Sequence, residues 1–111
     1  MIKEVKKPWG KFRQYALNKK CTVKLITINP NQILSKQKHK KRSEFWVALD
    51  SNLIFEIGNK KFSAKKGQEV IIPKNTAHRV SAKKKARFLE VSFGDFDEKD
   101  IIRLEDKYGR V

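Results

Sequence analysis

The sequence has a single cysteine, Cys21, so no disulfide can form within the chain. Beside the apolar run that follows it, this thiol is expected to be buried and free, as in a protein of a reducing cytoplasm. No apolar run approaches the roughly 20 residues that cross a bilayer as a helix, and no membrane partner is expected. Residues 1–12 carry lysines but no apolar segment, so they are not read as a secretory signal. Acidic residues are scarce: 12 Asp and Glu face 27 Lys and Arg, for a net charge of +15. At 111 residues the chain is sized for one domain, residues 1–111, with one core.

The basic excess first suggests a nucleic-acid binder. Its distribution argues against one. Lysine supplies most of it, whereas base and phosphate reading leans on arginine. The lysines fall in short clusters (6–7, 19–20, 40–41, 60–61, 65–66, 83–85), mostly where turns are expected, and no long basic helix is visible. Such a field still speeds encounter with a small anionic ligand.

Turn signals recur every few residues, and the apolar runs between them are short. That pattern predicts an all-β sandwich or barrel. Strands are expected at 12–17, 22–28, 33–39, 44–49, 53–57, 60–64, 69–72, 76–81 and 87–93. Gly58-Asn59 between two of these predicts a tight hairpin. Only the tail reads as a short helix: Asp97 is placed to cap it, Glu98 and Asp100 suit its first turn, and Ile101, Ile102 and Leu104 form an apolar face.

Four polar residues stand out. Gln37 and His39 are two apart on an expected strand and share a face. Glu44 follows five residues later, so a turn or bulge at 40–43 is needed to bring it to that face. His78 lies beyond the 73–75 turn. An amide oxygen, two imidazoles and a carboxylate suit zinc, manganese, iron, cobalt or nickel. Equally, two histidines in a basic protein are often surface or turn residues, and a strand glutamine often faces solvent.

The spacing resembles the two cupin motifs. The first runs Gln37-Lys38-His39, four residues, Glu44, six residues, Ser51. The second runs Gly67, five residues, Pro73, one residue, Asn75, two residues, His78. Gln37 replaces a histidine, and Ser51 and Asn75 replace glycines; Asn tolerates the left-handed backbone such a glycine supplies. The chain is further similar to type II mannose-6-phosphate isomerase, a domain that also forms the C-terminal part of bifunctional mannose-1-phosphate guanylyltransferases. The matching pieces are Lys7-Pro8-Trp9-Gly10, the stretches at 34–39, 42–46, 72–79 and 89–91, and the tail from Asp100 to Arg110. In that family glutamine already stands for the first cupin histidine. This chain departs from it at Lys40-Lys41, where the family is histidine-rich, at Phe45, where it has histidine, and at Asp50-Ser51-Asn52, where it commonly has Ser-Gly.

The resemblance implies a single-domain cupin, a double-stranded β-helix or jelly-roll barrel. It implies interconversion of mannose 6-phosphate and fructose 6-phosphate, in GDP-mannose or surface-polysaccharide synthesis. A divalent metal would be held by Gln37, His39, Glu44 and His78. Glu90, in an apolar strand where burial raises its pKa, is the candidate acid/base; its other reading is a partner of Arg87, Arg103 or a lysine. Arg42 is the first candidate to hold the phosphate or stabilise an enediolate, with Lys36, Arg79 and Arg110 behind it. Trp9, Trp46 and Tyr108 are candidates for a sugar pocket or for core. Two other functions stay open. One is a non-catalytic metal- or sugar-binding cupin that partners a separate guanylyltransferase. The other is a metal-free epimerase or isomerase of nucleotide-linked sugars. A homodimer is the family expectation.

Overall fold

Short β-rich runs closed by turn residues produce twelve strands and, among the described residues, no helix. The computed structural model describes residues 2–110; Met1 and Val111, the ends of the expected domain, lie outside them. In chain order the strands are β1 (Lys3–Lys7), β2 (Gly10–Gln14), β3 (Cys21–Ile28), β4 (Gln32–Ile33), β5 (Lys36–Lys38) and β6 (Ser43–Ala48). They continue with β7 (Leu53–Ile57), β8 (Lys60–Ala64), β9 (Glu69–Ile72), β10 (His78–Ala82), β11 (Ala86–Phe93) and β12 (Ile102–Glu105). One sheet has the order β3-β11-β6-β9; the other runs β12-β5-β10-β7-β8, with β4 also on β10. β1 and β2 form a separate ribbon.

The main core lies between the two sheets. Trp46, Phe55 and Phe88 meet edge to face there, with centroids 5.1–5.9 Å apart. Leu53, Ile72 and Val80 complete it. β6 is buried on both faces: Glu44, Trp46 and Ala48 point between the sheets, while Phe45 and Val47 point outward. Tyr15 and Ile2 cover that outer patch. Arg13 of β2 fastens the ribbon to Glu69 of β9 through two bonds of 2.7 and 2.6 Å.

The Gly58-Asn59 hairpin forms with Ile57 paired to Lys60. Only Gly58 has positive φ (57°), as in a turn with glycine at its first central position. Several expectations need correction. The run at 33–39 is broken into β4 and β5, the strand expected at 12–17 lies earlier as β2 (Gly10–Gln14), and β1 is an additional strand. Cys21 is half-buried at the start of β3 rather than fully enclosed. The tail is not helical. Asp97 does accept the Lys99 N–H at 2.9 Å, but this closes one turn only. The β-branched pair Ile101-Ile102 then leads into β12, which covers the otherwise unpaired edge of β5. A helix this short gains little from propensity, whereas an open sheet edge gains a full ladder.

Candidate metal centre

Three side chains converge at one end of the space between the sheets. His39 follows β5, Glu44 lies on β6, and His78 opens β10; each is 2–3% exposed. Glu44 needs no bulge to join the others, because the chain crosses from one sheet to the opposite one between β5 and β6. Glu44 Oε2 lies 3.4 Å from His39 Nε2, and Oε1 lies 3.6 Å from His78 Nε2. The ligand atoms of all three fall within 4.8 Å of one another. Gln37 pairs with His78 across the β5–β10 ladder, so its side chain leaves the same face. Its Oε1 accepts the Ser35 hydroxyl at 2.8 Å and keeps a second lone pair.

The backbone fixes both imidazoles. His39 Nδ1 lies 2.6 Å from the Asp100 carbonyl, and His78 Nδ1 lies 2.8 Å from the Thr76 carbonyl. A carbonyl only accepts, so each Nδ1 carries a proton and each ring turns its Nε2 inward. Asn75, left-handed at φ 61°, donates its N–H to the His39 carbonyl at 2.7 Å. The Asp100 carboxylate caps the Lys40 and Lys41 N–H groups at 2.9 and 3.0 Å.

The cluster is short of positive charge. Arg42 supplies some: it donates to Glu44 Oε2 and to His39 Nε2, each at 3.3 Å, and to the Asp97 carbonyl at 3.1 Å. Its guanidinium rests 4.2 Å from the Phe96 ring centre. Trp46 Nε1 donates to Glu44 Oε1 at 3.2 Å. His78 Nε2 remains buried with no hydrogen-bond partner among the described residues. Burial pushes the His78 pKa down, against the pull of Glu44, so this lone pair stays bare. Two imidazole nitrogens and a carboxylate around an orphaned acceptor form a donor set that fits a divalent cation.

A cavity of about 400 Å³ lies on the Arg42 side of the cluster, and His39, Glu44 and His78 are not among its lining residues. Gln37, Arg42 and Glu90 line it, together with Phe96, Arg103 and Arg110. Glu90 projects from β11, where its cross-strand neighbours are Trp46 and Lys24. Burial raises its pKa to about 7; the Glu44 charge adds to this, and Lys24, Arg42 and the Ser92 hydroxyl oppose it. A larger cavity, about 510 Å³, lies beside Tyr15 and Phe93 and contains none of the candidate site residues.

A model of the mannose-6-phosphate isomerase C-terminal family matches residues 1–106. The chain belongs to this family. The mannose-1-phosphate guanylyltransferase ManC of Salmonella typhimurium is 32% identical to it, over all of this chain and 24% of that protein. The alginate biosynthesis protein AlgA of Pseudomonas aeruginosa is 34% identical, over 97% of this chain and 23% of its own length. The chain thus spans about a quarter of these relatives. Among solved structures, a Klebsiella pneumoniae protein with a double-stranded β-helix domain superposes with a TM-score of 0.67 at 16% identity. That likeness covers 81% of this chain and 78% of the other. The fold is the all-β cupin fold.

The cupin motifs bring His39, Glu44 and His78 together, with Gln37 on the same sheet face as His78. Arg42 and Glu90 flank them. Arg110 also lines the cavity, but Asp106 holds its guanidinium at 2.6 and 3.3 Å. Lys36 and Arg79 lie apart from the cavity. Lys36 alternates with Gln37 along β5, and Arg79 donates to the Leu34 carbonyl at 3.0 Å and to Glu105 at 3.3 Å. Trp46 is core, while Trp9 and Tyr108 are exposed. Sequence reasoning gave no site role to Asp100 or Phe96, and named Arg103 only as an alternative partner of Glu90. The alternation along β12 would have placed Arg103 inward had the tail been read as a strand.

Proposed function

We propose that the protein is a divalent-metal-dependent aldose–ketose isomerase that interconverts mannose 6-phosphate and fructose 6-phosphate. The observation that carries this reading is the buried His39–Glu44–His78 cluster joined through Arg42, which bonds Glu44 and His39, to a cavity that Arg42 lines together with Gln37 and Glu90. Family membership supplies the substrate class.

The reaction moves a proton between C1 and C2. Glu90 as carboxylate takes the proton from C2 of the open-chain aldose. The C–H electron pair forms the C1–C2 double bond, and negative charge passes to the C1 oxygen. Protonated Glu90 then returns the proton to C1, and transfer of the C2 hydroxyl proton to the C1 oxygen completes the ketose. Burial favours the protonated form of Glu90, which suits a base that must also return the proton. A divalent cation held by His39, Glu44, His78 and Gln37 supplies Lewis-acid stabilisation of the oxygen charge. Arg42 orients the Glu44 carboxylate and adds a fixed positive charge beside it.

The test is a coupled isomerase assay on the purified chain with zinc, manganese, cobalt, nickel and iron salts in turn, together with bound-metal analysis. The expected result is turnover that chelator removes and metal restores. His78→Ala is expected to lose both bound metal and turnover. Glu90→Gln is expected to keep the metal and lose turnover by roughly 10²–10⁴-fold. Stoichiometric metal with no isomerisation of either sugar phosphate overturns the reading. It would favour instead a binding domain that works beside a separate guanylyltransferase, which the names of the longer relatives keep in view.

A further inference from the structure

We propose that Arg103 forms the anion-binding end of the cavity and receives the phosphate group of the sugar phosphate. The ligand class rests on the isomerase reading; the anion site itself rests on geometry. Arg103 pairs with Gln37 across β12 and β5, and Gln37 pairs with His78 across β5 and β10. The three residues form one row across three strands and leave the same face of the sheet. Two strand spacings put the Arg103 and His78 backbones roughly 10 Å apart. A hexose with its C1–C2 end at the metal cluster carries its 6-phosphate a comparable distance away, on the Arg103 side.

Arg103 is also the cavity cation with a buried, unused donor. Its Nε is buried with no hydrogen-bond partner among the described residues. The other cations have partners: Arg42 binds Glu44 and Asp97, Arg110 binds Asp106, and the Lys24 ammonium lies 4.2 Å from the Phe96 ring centre. A buried guanidinium donor without an acceptor is costly, and a phosphate monoester offers the acceptor that fits its planar fork. The two carboxylates of the lining, Glu90 and Glu98, make no hydrogen bond to this Nε. Glu90 has a pKa of about 7, so it carries only part of a charge at neutral pH.

The experiment is calorimetric titration of the full chain at low salt with fructose 6-phosphate, fructose and inorganic phosphate, in wild type, Arg103→Gln and Arg103→Lys. Wild type is expected to bind fructose 6-phosphate at least tenfold more tightly than fructose. Arg103→Gln is expected to lose that preference and Arg103→Lys to recover part of it, both with unchanged bound metal. Inorganic phosphate is expected to bind wild type weakly and Arg103→Gln not at all. In the coupled assay, Arg103→Gln raises KM tenfold or more, with kcat changed by only a few-fold. If the variants fail to fold, the Arg103 Nε–H resonance of the wild type must shift on addition of fructose 6-phosphate and not of fructose. Equal binding of fructose and fructose 6-phosphate, or an Arg103→Gln titration matching wild type, overturns the proposal. Phosphate-dependent binding through Arg103 without turnover removes only the isomerase reading. Normal turnover with an unchanged KM in Arg103→Gln removes only this one.

Discussion

At Glu90, burial and the neighbouring Glu44 charge push in the same direction, from 4.5 to about 7. The folded state therefore binds this proton more tightly than the unfolded chain does. The stabilisation is complete below about pH 4.5 and is lost as pH rises through about 7. Glu90→Gln keeps the neutral form at every pH. The metal-free variant is predicted to exceed wild type in stability by on the order of 1–3 kcal/mol above pH 7, converging with it in acid. Urea denaturation at the two pH values checks this. Asn75 poses a different residue-scale question, because its left-handed backbone sets the N–H that holds the His39 carbonyl. Asn75→Ala is predicted to cost about 1–2 kcal/mol, and Asn75→Gly far less, by the same measurement. His39, Glu44 and His78 were legible in the sequence because turns of fixed length deliver them. Arg103 and Asp100 were not, because their positions depend on which sheet edge the tail takes up, and spacing does not encode that.

The elements show where local signals win and where they lose. The runs around 22–28, 53–64 and 87–93 form strands as their β-branched and aromatic content requires. The tail carries a helix-start signal at Asp97, and the signal is real as far as one turn. The edge of β5 then decides the outcome, since it lies far away in sequence and offers the tail a ladder. The same segment brings Asp100 to the 40–41 turn. Burial alone would raise the Asp100 carboxyl, but the Lys40 and Lys41 N–H groups together hold it below its ordinary value. Asp100→Ala leaves both donors without this acceptor. It is predicted to destabilise the fold by about 1–2 kcal/mol and to weaken metal binding through a loosened His39, read by denaturation and by metal titration.

Across the whole molecule the charge and the core pull against each other. The net charge of +15 sits largely on exposed lysines, including 65–66 and 83–85, and it repels itself in the folded state. Added sodium chloride is predicted to raise the melting temperature of the metal-free protein over the range where the Debye length shrinks to a few ångströms. A fall in melting temperature would show that attractive pairs such as Arg87–Asp50 outweigh the repulsion. The pairing of β12 with the three-residue β5 has one more consequence. The last strand rests on a narrow ladder, whereas β6 and β11 lie in the middle of their sheet with partners on both sides. Amide protons of β12 should therefore exchange with deuterium well ahead of those in β6 and β11, through a partial opening that spares the centre. A bound sugar phosphate should slow that opening, so exchange at the tail becomes a gauge of occupancy that needs no turnover.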